Sequence, residues 1–296
     1  MTPFQAAALL RQGQLVAIPT ETVYGLAADA TQEAAIRQVF ELKGSPADHP
    51  LIVHLGEVSW AAHWGVLPPL FSRLAERFWP GPLTLVVPRL ARVSPLITGG
   101  QDSVALRVPR HPQTLELLQA LGEPVVAPSA NRFGHTSPTR ADHVHSEFPG
   151  LAVLDGGPCQ VGLESSIVDL TGPQPRLLRP GQLSRSVIEE VTGPLASHDV
   201  SAPRVPGALE RHYAPRTLTR WDDGQTPPGR WGWLGFASRG ASTEILMPSV
   251  PDAYAARLYA ALRELDAAGL DVIIVERPPQ GSDWEAVLDR LRRAAT

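Results

Sequence analysis

Lys43 is the only lysine in 296 residues; the other 25 basic side chains are arginine. It stands in ELKGSPADHPLIVHL, beside Gly44, Ser45 and Pro46. An ammonium is a compact point charge on a flexible stem, whereas a guanidinium is a planar fork, so the two are not interchangeable. A lysine kept there fits a loop that neutralises phosphate; a solvated turn is the plainer account. Arg107 lies inside the apolar run of VALRVPRHP, where a charge must find a partner or an anionic ligand. IPTETVYGLAADA places Thr20, Glu21, Thr22 and Tyr24 between Pro19 and Gly25, at a strand end where open α/β sheets hold ligands. VVAPSANRFGHTSPT runs from a strand into a loop of Ser, Asn and Gly, which offers N–H groups and hydroxyls to phosphate or carboxylate. GLESSIVDL and LLRPG add Ser165, Ser166 and Arg179. These loops contain no acid–base dyad and no cysteine nucleophile. Their chemistry is that of binding anions and positioning reactants.

Other chemistries are excluded. Gly157 and Gly162 have Walker-loop spacing, but Leu163 and Glu164 follow where Lys-Ser/Thr is required. HExxH, CxxC and GxSxG are absent. His143 and His145 alternate on a short polar segment and read as surface rather than as metal ligands.

The elements that must carry these residues follow from periodicity. Residues 14–18, 51–55, 83–87, 104–108, 125–127, 152–154 and 166–170 read as strands. Residues 4–12, 32–42, 69–78, 112–121 and 184–191 read as helices. The alternation predicts an α/β domain with a mixed sheet over 1–193. Residues 194–220 are proline-rich and poor in apolar side chains, which reads as an extended linker, yet one carrying Arg211, His212 and Tyr213. Strands at 231–236 and 271–276 and helices at 252–268 and 283–295 predict a smaller α/β domain over 221–296.

Residues 1–200 hold 14 basic and 18 acidic side chains, and residues 201–296 hold 12 of each. Neither half is a basic nucleic-acid surface, so direct nucleic-acid binding has no support from charge. The one cysteine, Cys159, excludes an intrachain disulfide. Neither a secretory leader nor a membrane span is expected.

PTETVYGLA, KGSPADHPLIVHL, FWPGPLTLVV, VALRVPRHP, APSANRFGHTSPT and GLESSIVDL with LLRPG resemble the motifs of the threonylcarbamoyl-AMP synthase family, in the family's order, over about residues 5–190. PGALERHYAP resembles the linker of its two-domain branch, and YAALRELDAAGLDVIIVE its C-terminal domain. The resemblance implies an open, twisted mixed sheet with a concave cavity for anionic ligands, plus a smaller Rossmann-like α/β domain. It implies a nucleotidyltransferase that converts L-threonine, bicarbonate and ATP, with Mg²⁺, to threonylcarbamoyl-AMP, pyrophosphate and water. Downstream proteins would transfer the threonylcarbamoyl group to the adenosine beside the anticodon of tRNA, in the cytoplasm. The threonine pocket would fall on Thr22, His54, Arg107, Ala127 and Ser165. ATP would meet Lys43, Ser45, His49, Ser103, Ser129, Asn131, Ser137, Arg179 and Tyr213, with Lys43 as the catalytic point charge and Tyr213 as part of a lid. One position departs from the pattern: the family's Lys-x-Arg reads Lys43-Gly44-Ser45 here. Arg132 and Arg110 are the candidate replacement cations. The alternative is a nucleotide- or RNA-binding relative with lost or altered ATP chemistry.

Overall fold

The computed structural model describes residues 1–196, 202–207 and 212–295. The chain opens with helix α1 (Pro3–Arg11), capped reciprocally by Thr2 and Gln5. A hairpin of β1 (Val16–Ile18) and β2 (Gly25–Asp29) follows, with Thr20–Val23 turning between them. Then come α2 (Glu33–Lys43), β3 (Ile52–His54), a 3₁₀ turn, α3 (Pro69–Phe78) and β4 (Leu83–Pro88). A short α4 (Pro95–Thr98) precedes β5 (Ser103–Arg107), α5 (Pro112–Leu121), β6 (Val125–Val126) and α6 (Ala141–Glu147). Strands β7 (Ala152–Val153), β8 (Ser166–Asp169) and β9 (Arg176–Arg179), then α7 (Arg185–Thr192), complete this part.

These nine strands form one mixed sheet in the order β7-β1-β2-β6-β3-β5-β4-β8-β9. Side chains alternate across each strand. One face carries Ala17, Leu26, Val53, Leu85, Leu106 and Val168 into the largest core, packed by α2, α3 and α7. The opposite face is covered in two pieces. Helices α1 and α5 cover β1, β2 and β6 through Leu10, Leu117 and Leu118. Val205, in the segment linking the two sheets, covers Ile52, Val86, Ala105 and Ile167. The concave gap between the two pieces is where His54 and Arg107 emerge, on the same alternation as Ile52 and Ala105.

The second sheet contains β10 (Leu218–Trp221), β11 (Trp231–Gly235), β12 (Thr243–Leu246) and β13 (Val272–Val275) in the order β10-β13-β11-β12, all parallel. Helices α8 (Pro251–Asp266) and α9 (Glu285–Ala294) bury Leu258, Leu262 and Leu291 against it.

Several local readings change. Strand β2 reads from sequence only as small residues, yet all five of its residues are buried. Strand β10 begins inside the stretch taken as linker. It and β12 are edge strands, short and partly exposed, so they lack a hydrophobic signature. His143 is buried on α6 rather than exposed, and its Nδ1 accepts from the Thr139 N–H. Arg211 lies outside the described residues.

Candidate active site

Parallel pairing of β3 and β5 sets His54 opposite Arg107. Arg107 is 3% exposed. Its Nη2 donates to Glu21 Oε1 at 2.7 Å, its Nη1 to Thr22 Oγ1 at 3.0 Å and its Nε to the Gly81 carbonyl at 3.2 Å. Glu21 Oε2 accepts the Arg110 N–H at 3.0 Å. Burial pushes the Glu21 carboxyl up most strongly of any single cause, but the Arg107 charge, its hydrogen bond and the Arg110 N–H together outweigh it, and the group ends below its ordinary value. Arg107 is therefore clamped in place before any ligand arrives. A guanidinium has five N–H donors, so one on each terminal nitrogen remains for a ligand carboxylate.

His54 Nδ1 lies 3.2 Å from the Ile52 carbonyl. A carbonyl only accepts, so Nδ1 carries the proton and Nε2 is left as an acceptor. Burial, then Arg107, pushes the His54 pKa down to about 3; the ring is neutral. Ser165, just before β8, shares a 2.7 Å hydrogen bond with Thr84. Arg179 Nη2 donates to Ser165 Oγ at 3.1 Å, and its Nε and Nη2 donate to the Ser165 carbonyl. Ala127 closes the wall against Gly25. A Cβ on Gly25 would stand 3.0 Å from that of Ala127.

Lys43 is not in a loop, as the sequence reading had it. It is the last residue of α2, which ends because Gly44 adopts the left-handed conformation at φ 64°. Its buried Nζ donates to the carbonyls of Ser129 (2.5 Å) and Asn131 (2.7 Å). Burial lowers its pKa to about 7, against the pull of Glu147. Asn131 Nδ2 donates to the carbonyls of Arg132 and His135, while its Oδ1 is buried without a partner among the described residues.

Pro206, Gly207, His212 and Tyr213 form a strap along the cavity wall. Arg179 Nη1 donates to the Pro206 carbonyl at 2.9 Å, the Ala214 N–H to Gly134 O at 3.0 Å, and Thr136 Oγ1 to the Tyr213 carbonyl at 3.3 Å. Tyr213 is buried and is the one non-glycine with positive φ, 60°, among the described residues. Rings run edge to face from His49 to Phe133 (5.1 Å), Phe133 to His212 (6.1 Å) and His212 to Tyr213 (4.0 Å). His212 Nδ1 is another buried atom without a partner among the described residues.

The cavity these residues line has about 90 Å³ of room for water-sized molecules, less than the roughly 300–1,000 Å³ usual for small-molecule sites. Thr22, His54, Arg107, Ala127, Ser165, Lys43, Ser45, His49, Ser129, Asn131, Arg179 and Tyr213 all line it. Ser103 and Ser137 do not. Ser103 sits at the far end of β5, and Ser137 Oγ is turned away to Glu164 Oε1 at 2.6 Å. The cations proposed to replace the absent arginine also lie off the cavity wall. The Arg132 guanidinium sits over Phe148 at 5.8 Å, and Arg110 is exposed. Two functional positions escaped the sequence reading: Glu21 as the clamp on Arg107, and Glu164, a buried carboxylate in the wall. The demand of Arg107 for a partner was the available signal for the first. Among the described residues no group of three or more His, Cys, Asp or Glu could hold a metal ion.

Residues 8–181 match the family described as "Telomere recombination", and residues 183–296 match "Threonylcarbamoyl-AMP synthase, C-terminal domain". The chain is 39% identical to the threonylcarbamoyl-AMP synthase of Pyrococcus abyssi, over 98% of this chain and 93% of that protein. It is 37% identical to the Bacillus subtilis threonylcarbamoyl-AMP synthase, over 98% and 92%. Among solved structures it is similar to P. abyssi Sua5 complexed with L-threonine, with TM-score 0.93 and 38% identity, covering 99% of this chain and 94% of that one.

Proposed function

The chain belongs to the threonylcarbamoyl-AMP synthase family, and from that premise we propose how its own cavity carries out the synthesis. The enzyme makes L-threonylcarbamoyl-AMP from L-threonine, bicarbonate and ATP, for N6-threonylcarbamoyladenosine modification of tRNA. The observation that carries the reading is the pre-clamped Arg107 beside neutral His54 in a cavity whose wall also carries Lys43 and Arg179.

Threonine binds with its carboxylate on the two remaining Arg107 N–H groups, a charge-assisted fork. His54 Nε2 and the Thr22 and Ser165 hydroxyls face its amine and hydroxyl. The neutral amine attacks CO2 derived from bicarbonate, with net loss of water, and gives N-carboxythreonine. The new carboxylate oxygen attacks the α-phosphorus of ATP and pyrophosphate leaves. Two anions must be held together for this step. Their repulsion, several kcal/mol in a partly desolvated site, is offset by Arg107 on one side and by Lys43 and Arg179 on the other.

Mg²⁺ enters on the triphosphate as part of the substrate, since the ion is commonly held by phosphates and water with few protein ligands. The unpartnered Asn131 Oδ1 and His212 Nδ1 suit the polar edge of a nucleobase, because buried polar atoms rarely stay unpaired. The strap bearing Tyr213 excludes water from a mixed anhydride that hydrolyses readily. We read residues 1–193 as the catalytic domain, 194–220 as the covering linker and 221–296 as the C-terminal domain. The product passes to tRNA threonylcarbamoyl-transfer proteins in the cytoplasm. No helix among the described residues is long and apolar enough to cross a membrane. Pyrophosphate release tests the reading. It should require threonine and bicarbonate together, and release independent of threonine would contradict it.

A further inference from the structure

Arg290, on α9 of the second sheet, is completely buried. Its Nε donates to Glu164 Oε2 at 2.8 Å and its Nη2 to the Pro180 carbonyl at 3.0 Å. Its guanidinium lies over the Tyr213 ring at 5.2 Å. Its Nη1 donates to Asp289 Oδ2 on the same helix at 2.6 Å; each of the other three contacts adjoins a cavity residue. Glu164 lines the wall and precedes Ser165, Pro180 follows Arg179, and Tyr213 is the strap itself. Glu164 also accepts from Ser137 Oγ at 2.6 Å and from Tyr259 on α8 at 2.9 Å. One side chain from α9 thus touches three segments that build the cavity, two of them, Arg179–Pro180 and Tyr213, on its nucleotide side.

Burying this pair is not the cheapest route to stability. A desolvated carboxylate and guanidinium roughly break even against an apolar pair of the same volume. What the ion pair adds is direction, because the guanidinium fork fixes the angle between its partners. Burial pushes Glu164 up, but Arg290 and then Arg179 hold it down at about 2, so the carboxylate stays charged. Ser137 adds a further hydrogen bond from the loop that contains Asn131.

We propose that Arg290, acting through Glu164 and Tyr213, is a positioning residue for the ATP subsite, so that the C-terminal domain sets the geometry in which the nucleotide binds. The inference rests on the synthase reading for the identity of the ligand. It assigns the second domain a role in the reaction without contact with the reacting atoms. The threonine side is anchored separately, through Glu21 and Arg107, and is not linked to Arg290 by any of these contacts except the neighbour Ser165.

The test uses the full chain and calorimetric titration with α,β-methylene-ATP and Mg²⁺, and with L-threonine in parallel. Arg290→Met alone would leave Glu164 buried and unpaired, so the informative variants are Arg290→Lys and the neutral double variant Glu164→Gln/Arg290→Met. The double variant should keep the wild-type circular dichroism spectrum and a threonine Kd within about threefold of wild type, while the analogue binds at least about tenfold more weakly. Arg290→Lys should fall between them, because it keeps the charge and loses the fork. A double variant, or an Arg290→Lys variant, that binds the analogue as tightly as wild type overturns the proposal. If wild type binds the analogue in this Arg290-dependent way and yet forms no threonylcarbamoyl-AMP, the synthase reading fails and the positioning role stands. Normal wild-type synthesis with analogue affinity indifferent to Arg290 sinks the positioning role alone.

Discussion

Removing the Arg107 guanidinium should separate threonine recognition from fold stability, provided Glu21 is treated with it. Arg107→Met alone strands the Glu21 carboxylate in a site that is 3% exposed, with only the Arg110 N–H left. Breaking a buried pair in this way costs about 3–5 kcal/mol, enough to confuse lost binding with partial unfolding. The double variant Glu21→Gln/Arg107→Met has no stranded charge, and a glutamine carbonyl can still accept the Arg110 N–H. Its melting temperature should stay within a few degrees of wild type, on the order expected for a neutral replacement. Its threonine KM should not stay close. The ligand carboxylate loses a two-pronged charge-assisted contact worth about 1.5–3 kcal/mol, which is roughly 10- to 100-fold in KM. Pyrophosphate release measured against threonine, with ATP and bicarbonate saturating, reads this directly. The ATP KM should move by less than about threefold, since Arg107 does not touch that side. A folded double variant with unchanged threonine KM would refute the assignment of Arg107 to the carboxylate.

Lys43 gives a pH dependence. Its pKa is lowered to about 7 in the empty site, and phosphate beside it must raise that value. Binding ATP then takes up a proton above pH 7, so the ATP KM should rise with pH there, by up to about tenfold per unit. Lys43→Met should flatten that slope, and a slope that persists would remove Lys43 from the phosphates. Gly207→Ala should disturb the strap, because φ there is +81° and the added Cβ would stand 1.9 Å from the Tyr213 hydroxyl. A strain of about 1 kcal/mol or more predicts an ATP KM raised roughly fivefold or more, while threonine binding measured by calorimetry stays unchanged. Ser45→Arg restores the family's Lys-x-Arg at a position that lines the cavity. It should lower the ATP KM by roughly tenfold; no change would mean that Arg179 already fills the role.

The sheet interior was legible because its strands are buried on both faces. Strands β3 and β5 read as apolar runs, and a charged Arg107 inside one of them marked the site at once. The same logic fails at sheet margins. Strands β10 and β12 are half exposed, and their alternation is too short to stand out. Side-chain direction was also beyond the sequence. Ser137 sits in the right loop, yet it turns to a carboxylate 27 residues away. Lys43 was singled out correctly, while its place at a helix end, held by two carbonyls, depended on Gly44 and on the Ser129–Asn131 loop folding over it. Glu21 and Glu164 look like ordinary acids in the chain. Only the fold shows that each is buried on an arginine, and Arg290 is 126 residues from Glu164. No local pattern encodes such a pairing.

This cavity, with Ser45 where the family carries arginine, should join threonine, bicarbonate and ATP. The most direct measurement mixes the full chain with MgATP, L-threonine and ¹³C-labelled bicarbonate and analyses the nucleotide products by mass spectrometry. The expected product is threonylcarbamoyl-AMP carrying the label in its carbamoyl carbon, absent when threonine is omitted. Threonine binding without any labelled adenylate would contradict synthesis by this cavity and favour a relative that binds nucleotide without synthesis.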